Sequence, residues 1–138
     1  GDEVISRAGE TIRTSLREED IGGRLGGDEF ALILPFTSRV DAARVVARLA
    51  ARIRGLSGPP SGLRPYVDQR RGDPRRSIRV SASLGFETYD GGDLGTLEEL
   101  RLHAEQALHA AKGHGGNQGM YFRSLEPNGD RGAAAVGT

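Results

Sequence analysis

The sequence predicts a layered α/β (α+β) domain with an antiparallel hairpin at its centre and helices on its flanks. Three observations carry this expectation. Paired glycines, Gly26-Gly27, separate two short apolar runs, which is a strong hairpin signal. Three other segments place apolar residues at helical spacing, and two of these open on capping residues. The segments follow one another as helix, two strands, helix, two strands, helix, strand, an order that suits helices packed on a sheet.

Residues 2–17 read as an amphipathic helix, because Val4, Ile5, Ala8, Ile12 and Leu16 recur on one face at spacings near four. Residues 20–35 read as the hairpin, with arms at 21–25 and 30–34. Ser38 opens the second helix, with Asp41 three residues on in a capping-box-like position and Val46, Leu49, Ala50 and Ile53 as the apolar face. Residues 55–62 are rich in Gly, Pro and Ser and read as a loop. Two strand-like runs follow, 63–69 and 78–89, joined by a polar connection at 70–76 that contains Gly72 and Pro74. Thr96 and Glu99 form a second capping box, opening a helix whose face is Leu97, Leu100, Ala104, Ala107, Leu108 and Ala111. Gly113 after Lys112 is the expected stop. Residues 118–123 read as a last short strand, and residues 124–138 as a disordered tail.

Composition narrows the function classes. The chain has 138 residues, enough for one core, with 36% apolar and 28% charged residues and a formal net charge of +0. A neutral chain argues against broad attraction to nucleic acid or to a membrane surface. Without Cys it has no disulfide and no thiolate metal site. No apolar run is long enough for a membrane span and no signal-peptide pattern opens the chain, so a cytoplasmic location is expected. Lys112 is the only Lys. The Arg bias suits bidentate contacts with phosphate or a guanine edge, and equally follows from a GC-rich coding sequence. A phosphate-cradling loop with Lys-Ser or Lys-Thr is absent, which excludes a P-loop nucleotidase. His103, His109 and His114 lack the spacing of a helical metal pair and suggest no zinc site.

The candidate chemistry lies at the hairpin turn. Asp28 and Glu29 are adjacent carboxylates beside two glycines. Hard divalent cations such as Mg²⁺ take oxygen ligands of this kind and share them with substrate phosphates, and glycines let a ligand come close to the backbone. On its own the segment reads first as a surface turn with solvated acids, since acids at turns are common.

Family resemblance decides between the two. Arg24-Leu25-Gly26-Gly27-Asp28-Glu29-Phe30 with Ala31-Leu32-Ile33-Leu34-Pro35 resembles the signature hairpin of the GGDEF diguanylate cyclases. Gly1-Asp2-Glu3-Val4-Ile5 resembles the start of that family's helix before the hairpin. Val80-Ser81-Ala82-Ser83-Leu84-Gly85 resembles its Val-Ser-x-Gly strand with one extra residue. Ala104-Glu105-Gln106-Ala107-Leu108-His109-Ala110-Ala111-Lys112 resembles its Ala-Asp-x-Ala-Leu-Tyr-x-Ala-Lys helix. The resemblance runs from residue 1 to about 123. It implies a sheet like the palm of nucleotide cyclases and polymerases, and condensation of two GTP into cyclic di-GMP with Mg²⁺ or Mn²⁺. It gives Asp28 and Glu29 the metal, and one of them a part in deprotonating the attacking 3′-hydroxyl. Gly26 and Gly27 would make room for the nucleotide, Asp2 would contact guanine, and Lys112 would reach the triphosphate. For Lys112 the plainer reading is a cation at a helix C-terminus. Arg17 and Asp20 match the family's Arg-x-x-Asp, which binds cyclic di-GMP and inhibits the enzyme. The active form would be a homodimer, since two GTP molecules must meet.

The sequence also departs from the pattern. The family's domain begins with a strand and helix that precede residue 1 and supply a metal-binding Asp and a guanine-binding Asn, so an N-terminally truncated domain over 1–123, from a longer protein, is expected. Gly116 stands where the family has an Arg that contacts phosphate, His109 replaces its Tyr, and Glu105 its Asp. An active cyclase, a weak or inactive cyclic di-GMP-binding domain, and a structural dimerisation domain are therefore the three alternatives, the last disfavoured because both motifs are intact.

Overall fold

A computed structural model describes residues 2–58, 79–92, 94–125 and 135–136. Helix α1 spans Asp2–Ser15 and leads into a hairpin of β1, Ile21–Gly26, and β2, Glu29–Ile33. Helix α2 follows at Arg39–Arg54, then β3 at Leu84–Phe86, α3 at Leu97–Gly113 and β4 at Gly119–Tyr121. A 3-10 turn over Phe122–Leu125 and β5 at Ala135–Val136 complete the order. The expected mixed helix-and-sheet class is what the structure has.

Both capping signals form as read. The Ser38 side chain accepts from the Asp41 N–H at 3.2 Å, and that of Thr96 accepts from the Glu99 N–H at 3.1 Å. Glu99 reaches back one residue further than a capping box requires, accepting from the Gly95 N–H. The β1–β2 pair is antiparallel and forms one sheet; β3, β4 and β5 form another. β3 and β4 run parallel, with α3 as the crossover that a parallel pair needs.

One face of these strands packs on α1 and α2. Ile12, Leu49, Ile53 and Val80 form a buried cluster, joined by Leu16 from the α1 end, Phe30 and Leu32 from β2, and Leu84 from β3. Beside it, Ala42 and Val46 of α2 pack on Phe86 and Tyr121, whose rings stack at 5.0 Å. Successive strand residues face opposite ways, so with Leu84 and Phe86 on α2, Gly85 faces α3. There the helix comes so close that a Cβ on Gly85 would lie 2.0 Å from the Leu108 backbone nitrogen and 2.4 Å from the Ala104 carbonyl oxygen. Ala107 and Ala111 are fully buried in this seam.

The seam also explains why Leu97 is 66% exposed although it falls on the expected apolar face. It lies seven residues before Ala104, roughly 10 Å along the axis, beyond the strands. The expected strand at 78–89 is also shorter in the structure. Among the described residues of that run only Leu84–Phe86 is laddered, against the three residues of β4, while Val80 bonds through both its N–H and C=O to the Ser57 hydroxyl. The expected strand at 63–69 and the connection at 70–76 lie outside the described residues. The expected tail is corrected at two places: Ser124 and Leu125 complete the 3-10 turn, and Ala135–Val136 pairs antiparallel with β4, covering an edge whose N–H and C=O groups would otherwise lack partners.

A buried polar cluster ties the end of β4 to β3 and α3. Glu87, its side chain only 1% exposed, accepts from the Thr88 N–H and from Arg123 Nε at 3.1 Å, and bonds His103 Nδ1 at 2.9 Å. The His103 ring stacks on Phe122 at 3.9 Å. Such a carboxylate is tolerated inside only because it is fully partnered.

Gly85→Ala is expected to destabilise the fold by about 3 kcal/mol or more, since the methyl meets backbone and not a side chain that can turn away. The check is the denaturant midpoint at unchanged m-value. A midpoint like that of the wild type would contradict the close docking of α3.

Candidate functional site

The register of the hairpin puts its acids at the tip. Gly26 pairs with Glu29, leaving Gly27-Asp28 as a two-residue loop, and Leu25 is the extra residue of a bulge between Arg24 and Gly26. Gly27 has φ +54 at the first loop position, where a type II′ turn favours glycine. Arg24 Nε donates to the Gly27 carbonyl at 2.8 Å and braces the turn from outside. Along β2, Phe30 and Leu32 point into the core, so Glu29 and Ala31 point away from it. A Cβ on Gly26 or Gly27 would meet nothing within 4 Å, so the tip is open to a ligand.

Lys112 arrives at this tip from α3. Its Nζ lies 3.9 Å from Glu29 Oε1, with both side chains about half exposed, at 54% and 53%. An ion pair in that much water contributes at most about 1 kcal/mol, so it does not fasten Lys112, and an anionic ligand can compete for the ammonium. Asp28 forms no side-chain hydrogen bond or ion pair among the described residues. Asp2 sits on the exposed first turn of α1 and likewise forms none there; the structure does not bring it into contact with the tip.

Arg17 and Asp20 form a second constellation between α1 and β1. Asp20 accepts from the Arg17 N–H at 2.8 Å, from its Nε at 3.3 Å and from its Nη2 at 3.1 Å. Arg17 Nη2 also donates to the Pro35 carbonyl and the Thr37 hydroxyl, both at 2.9 Å. The Asp20 side chain is 5% exposed and that of Arg17 49%. Burial would push the Asp20 carboxyl up, but hydrogen bonds and charge from Arg17 outweigh it and hold the group below the ordinary aspartate range. The same bond holds the Arg17 guanidinium above its usual value. The sequence expectation gave both residues to one ligand; the geometry makes Arg17 the exposed member and Asp20 the residue that positions it.

Comparison with known proteins decides the family. The family described as "Diguanylate cyclase, GGDEF domain" matches residues 1–118. The chain belongs to the GGDEF diguanylate cyclase family. The chain is 35% identical over 124 residues to the bifunctional diguanylate cyclase/cyclic di-GMP phosphodiesterase MucR of Pseudomonas aeruginosa, covering 90% of the chain but only 16% of MucR. The diguanylate cyclase SiaD of Pseudomonas aeruginosa, solved with its activator SiaC, superposes with a TM-score of 0.69 at 28% identity, covering 87% of this chain and 40% of that one. The GGDEF domain of DgcB from Caulobacter crescentus, solved with cyclic di-GMP, gives 0.72 at 21% identity over 89% and 65% of the two chains, a likeness of fold.

Within the GGDEF domain the acid pair can hold a divalent ion only in part. Among the described residues no three His, Cys, Asp or Glu side chains gather into a metal site. Two adjacent carboxylates at an open turn fit Mg²⁺ or Mn²⁺ shared with substrate phosphates, whose oxygens fill the remaining positions. Sequence reading missed Phe36, which is 98% exposed, has φ +54 and lies between the two residues that hold Arg17. The available signal was an aromatic between Pro35 and the polar run Thr37-Ser38-Arg39.

Because the Asp20 carboxyl is held below its ordinary range, its pairing adds stability that is present above that range and lost as the pH falls through the depressed value. Asp20→Asn should therefore lose less stability on acidification than the wild type, measured by denaturant unfolding across acid pH. Equal acid slopes would contradict the pairing.

Proposed function

We propose that this domain condenses two GTP molecules into cyclic di-GMP, releasing pyrophosphate, and that product bound at Arg17 restrains it. The observation that carries the reading is the meeting of Glu29 and Lys112 at an open glycine turn, from segments far apart in the chain. Membership of the family and the 35% identity to MucR support it.

Asp28 and Glu29 would hold Mg²⁺ or Mn²⁺ against the GTP phosphates, and the ion supplies charge neutralisation for phosphoryl transfer. Lys112 gives the triphosphate a point charge. Gly26 and Gly27 leave room for the nucleotide, and Asp2 accepts from the guanine N–H edge. In each half-reaction a 3′-oxygen bonds to the α-phosphorus of the other GTP and the bond to pyrophosphate breaks. The hydroxyl proton passes to one of the two acids. Two substrates must face one another, so the working form is a homodimer. GTP as substrate points to the cytoplasm, and no described helix is long and apolar enough to cross a membrane.

Gly116 supports a second reading. It stands where the family has a phosphate-contacting Arg, its φ is +70, and a Cβ there would lie 3.1 Å from the Ser83 hydroxyl. A site adapted to glycine at that point favours a catalytically weak domain that binds cyclic di-GMP.

Incubation with GTP and Mg²⁺ or Mn²⁺, followed by chromatography, tests the first reading. Cyclic di-GMP should form, and Glu29→Ala should lower its rate about a hundredfold or more. Lys112→Ala should act more on KM than Glu29→Ala does. An absence of turnover, with cyclic di-GMP binding lost in Arg17→Ala, would replace the cyclase by the receptor.

A further inference from the structure

The ring of Phe36 is exposed and packs on nothing among the described residues. The side chain is 98% exposed, so it contributes no burial, and its backbone lies at φ +54, a region that residues with a Cβ occupy only where their surroundings dictate it. What dictates it here is Arg17. One nitrogen of that guanidinium, Nη2, donates to the Pro35 carbonyl on one side of Phe36 and to the Thr37 hydroxyl on the other, and Thr37 Oγ1 donates to the Pro35 carbonyl at 3.0 Å. The loop is thus stitched on both flanks of Phe36 by the side chain that Asp20 orients. Arg17 Nη1 makes no hydrogen bond among the described residues.

From this arrangement we infer that Phe36 is the stacking platform of the Arg17 site, taking the face of a guanine base of cyclic di-GMP whose edge or phosphate Arg17 holds. The inference rests on the product-site reading and adds to it the residue that recognises the base plane. Guanine offers O6 and N7 acceptors at its edge, which suit a guanidinium, and a flat π-face, which suits a phenyl ring. A ring held exposed by its backbone gains burial when a flat ligand covers it. A ring serving a protein partner instead would not change nucleotide affinity, so the same measurement tests that alternative.

Calorimetric titration of the protein with cyclic di-GMP, and separately with GTP and Mg²⁺, tests the inference. The variants are Phe36→Asn, which tolerates the left-handed backbone without a ring, Phe36→Trp, which keeps an aromatic face, and Arg17→Ala. Phe36→Asn is expected to weaken cyclic di-GMP about tenfold to a hundredfold, the loss typical of one base stacked on an aromatic side chain, while melting no lower than the wild type. Phe36→Trp is expected to keep the affinity, and GTP binding should not change. Wild-type affinity in Phe36→Asn, with binding still lost in Arg17→Ala, would overturn the platform and leave the product site standing. Equal weakening of both nucleotides would assign the ring to GTP and overturn its link to the product. Binding that ignores Arg17→Ala, or no binding at all, would overturn the product-site reading and the platform with it.

Discussion

The approach of α3 to Gly85 sets the geometry on which the proposed site depends. At that point the helix backbone lies where any side chain of β3 would have to be, with Leu108 nitrogen 2.0 Å from an added Cβ. Ala107 and Ala111 are small enough to let the helix settle there and are themselves fully buried. Five residues beyond Ala107, about 7–8 Å along the axis, Lys112 emerges at the end of the same helix beside Glu29. A helix held further from the strand would carry Lys112 out of reach of the hairpin tip. The seam and the site are thus two consequences of one contact.

Charge at the tip follows from how little surrounds it. The acids stand on a turn whose glycines leave open space, and among the described residues Glu29 is partnered by a half-exposed ammonium, that of Lys112. In water such charges gain little from one another. A polyanionic ligand with its counterion would exclude that water and strengthen every interaction at once. The Arg17–Asp20 pair is built the opposite way. Its carboxylate is nearly covered and already spent on Arg17, so its charge is committed before any ligand arrives. One constellation is open and unsatisfied, the other preorganised, and this contrast fits the two roles proposed for them, turnover at the tip and holding of product at the hairpin's base.

Local features were legible in the sequence, and contacts between distant segments were not. Ser38, Thr96 and the paired glycines specify structure within three or four residues, and each formed where expected. Leu97 satisfied helical periodicity but lies beyond the strands, a fact fixed by where α3 crosses β3. Nothing around Glu87 shows that its carboxylate is buried, because its partners His103 and Arg123 come from α3 and from beyond β4. Asp28, Glu29, Lys112, Arg17 and Asp20 were named through resemblance, since spacing alone does not distinguish a metal site from a solvated turn. That Lys112 and Glu29 meet is a tertiary result. Phe36 carries little sequence signal of its own, because its left-handed backbone and its place between two residues bonded to the distant Arg17 are tertiary results.

The central claim is that the hairpin tip and the end of α3 form a single nucleotide site. The most direct measurement is an NMR titration with GTP and Mg²⁺ that follows the backbone amides of Gly26, Gly27, Asp28, Glu29 and Lys112. The account predicts that all of them shift together and fit one Kd. Shifts confined to the hairpin, or two sets of amides that saturate at different concentrations, would contradict it.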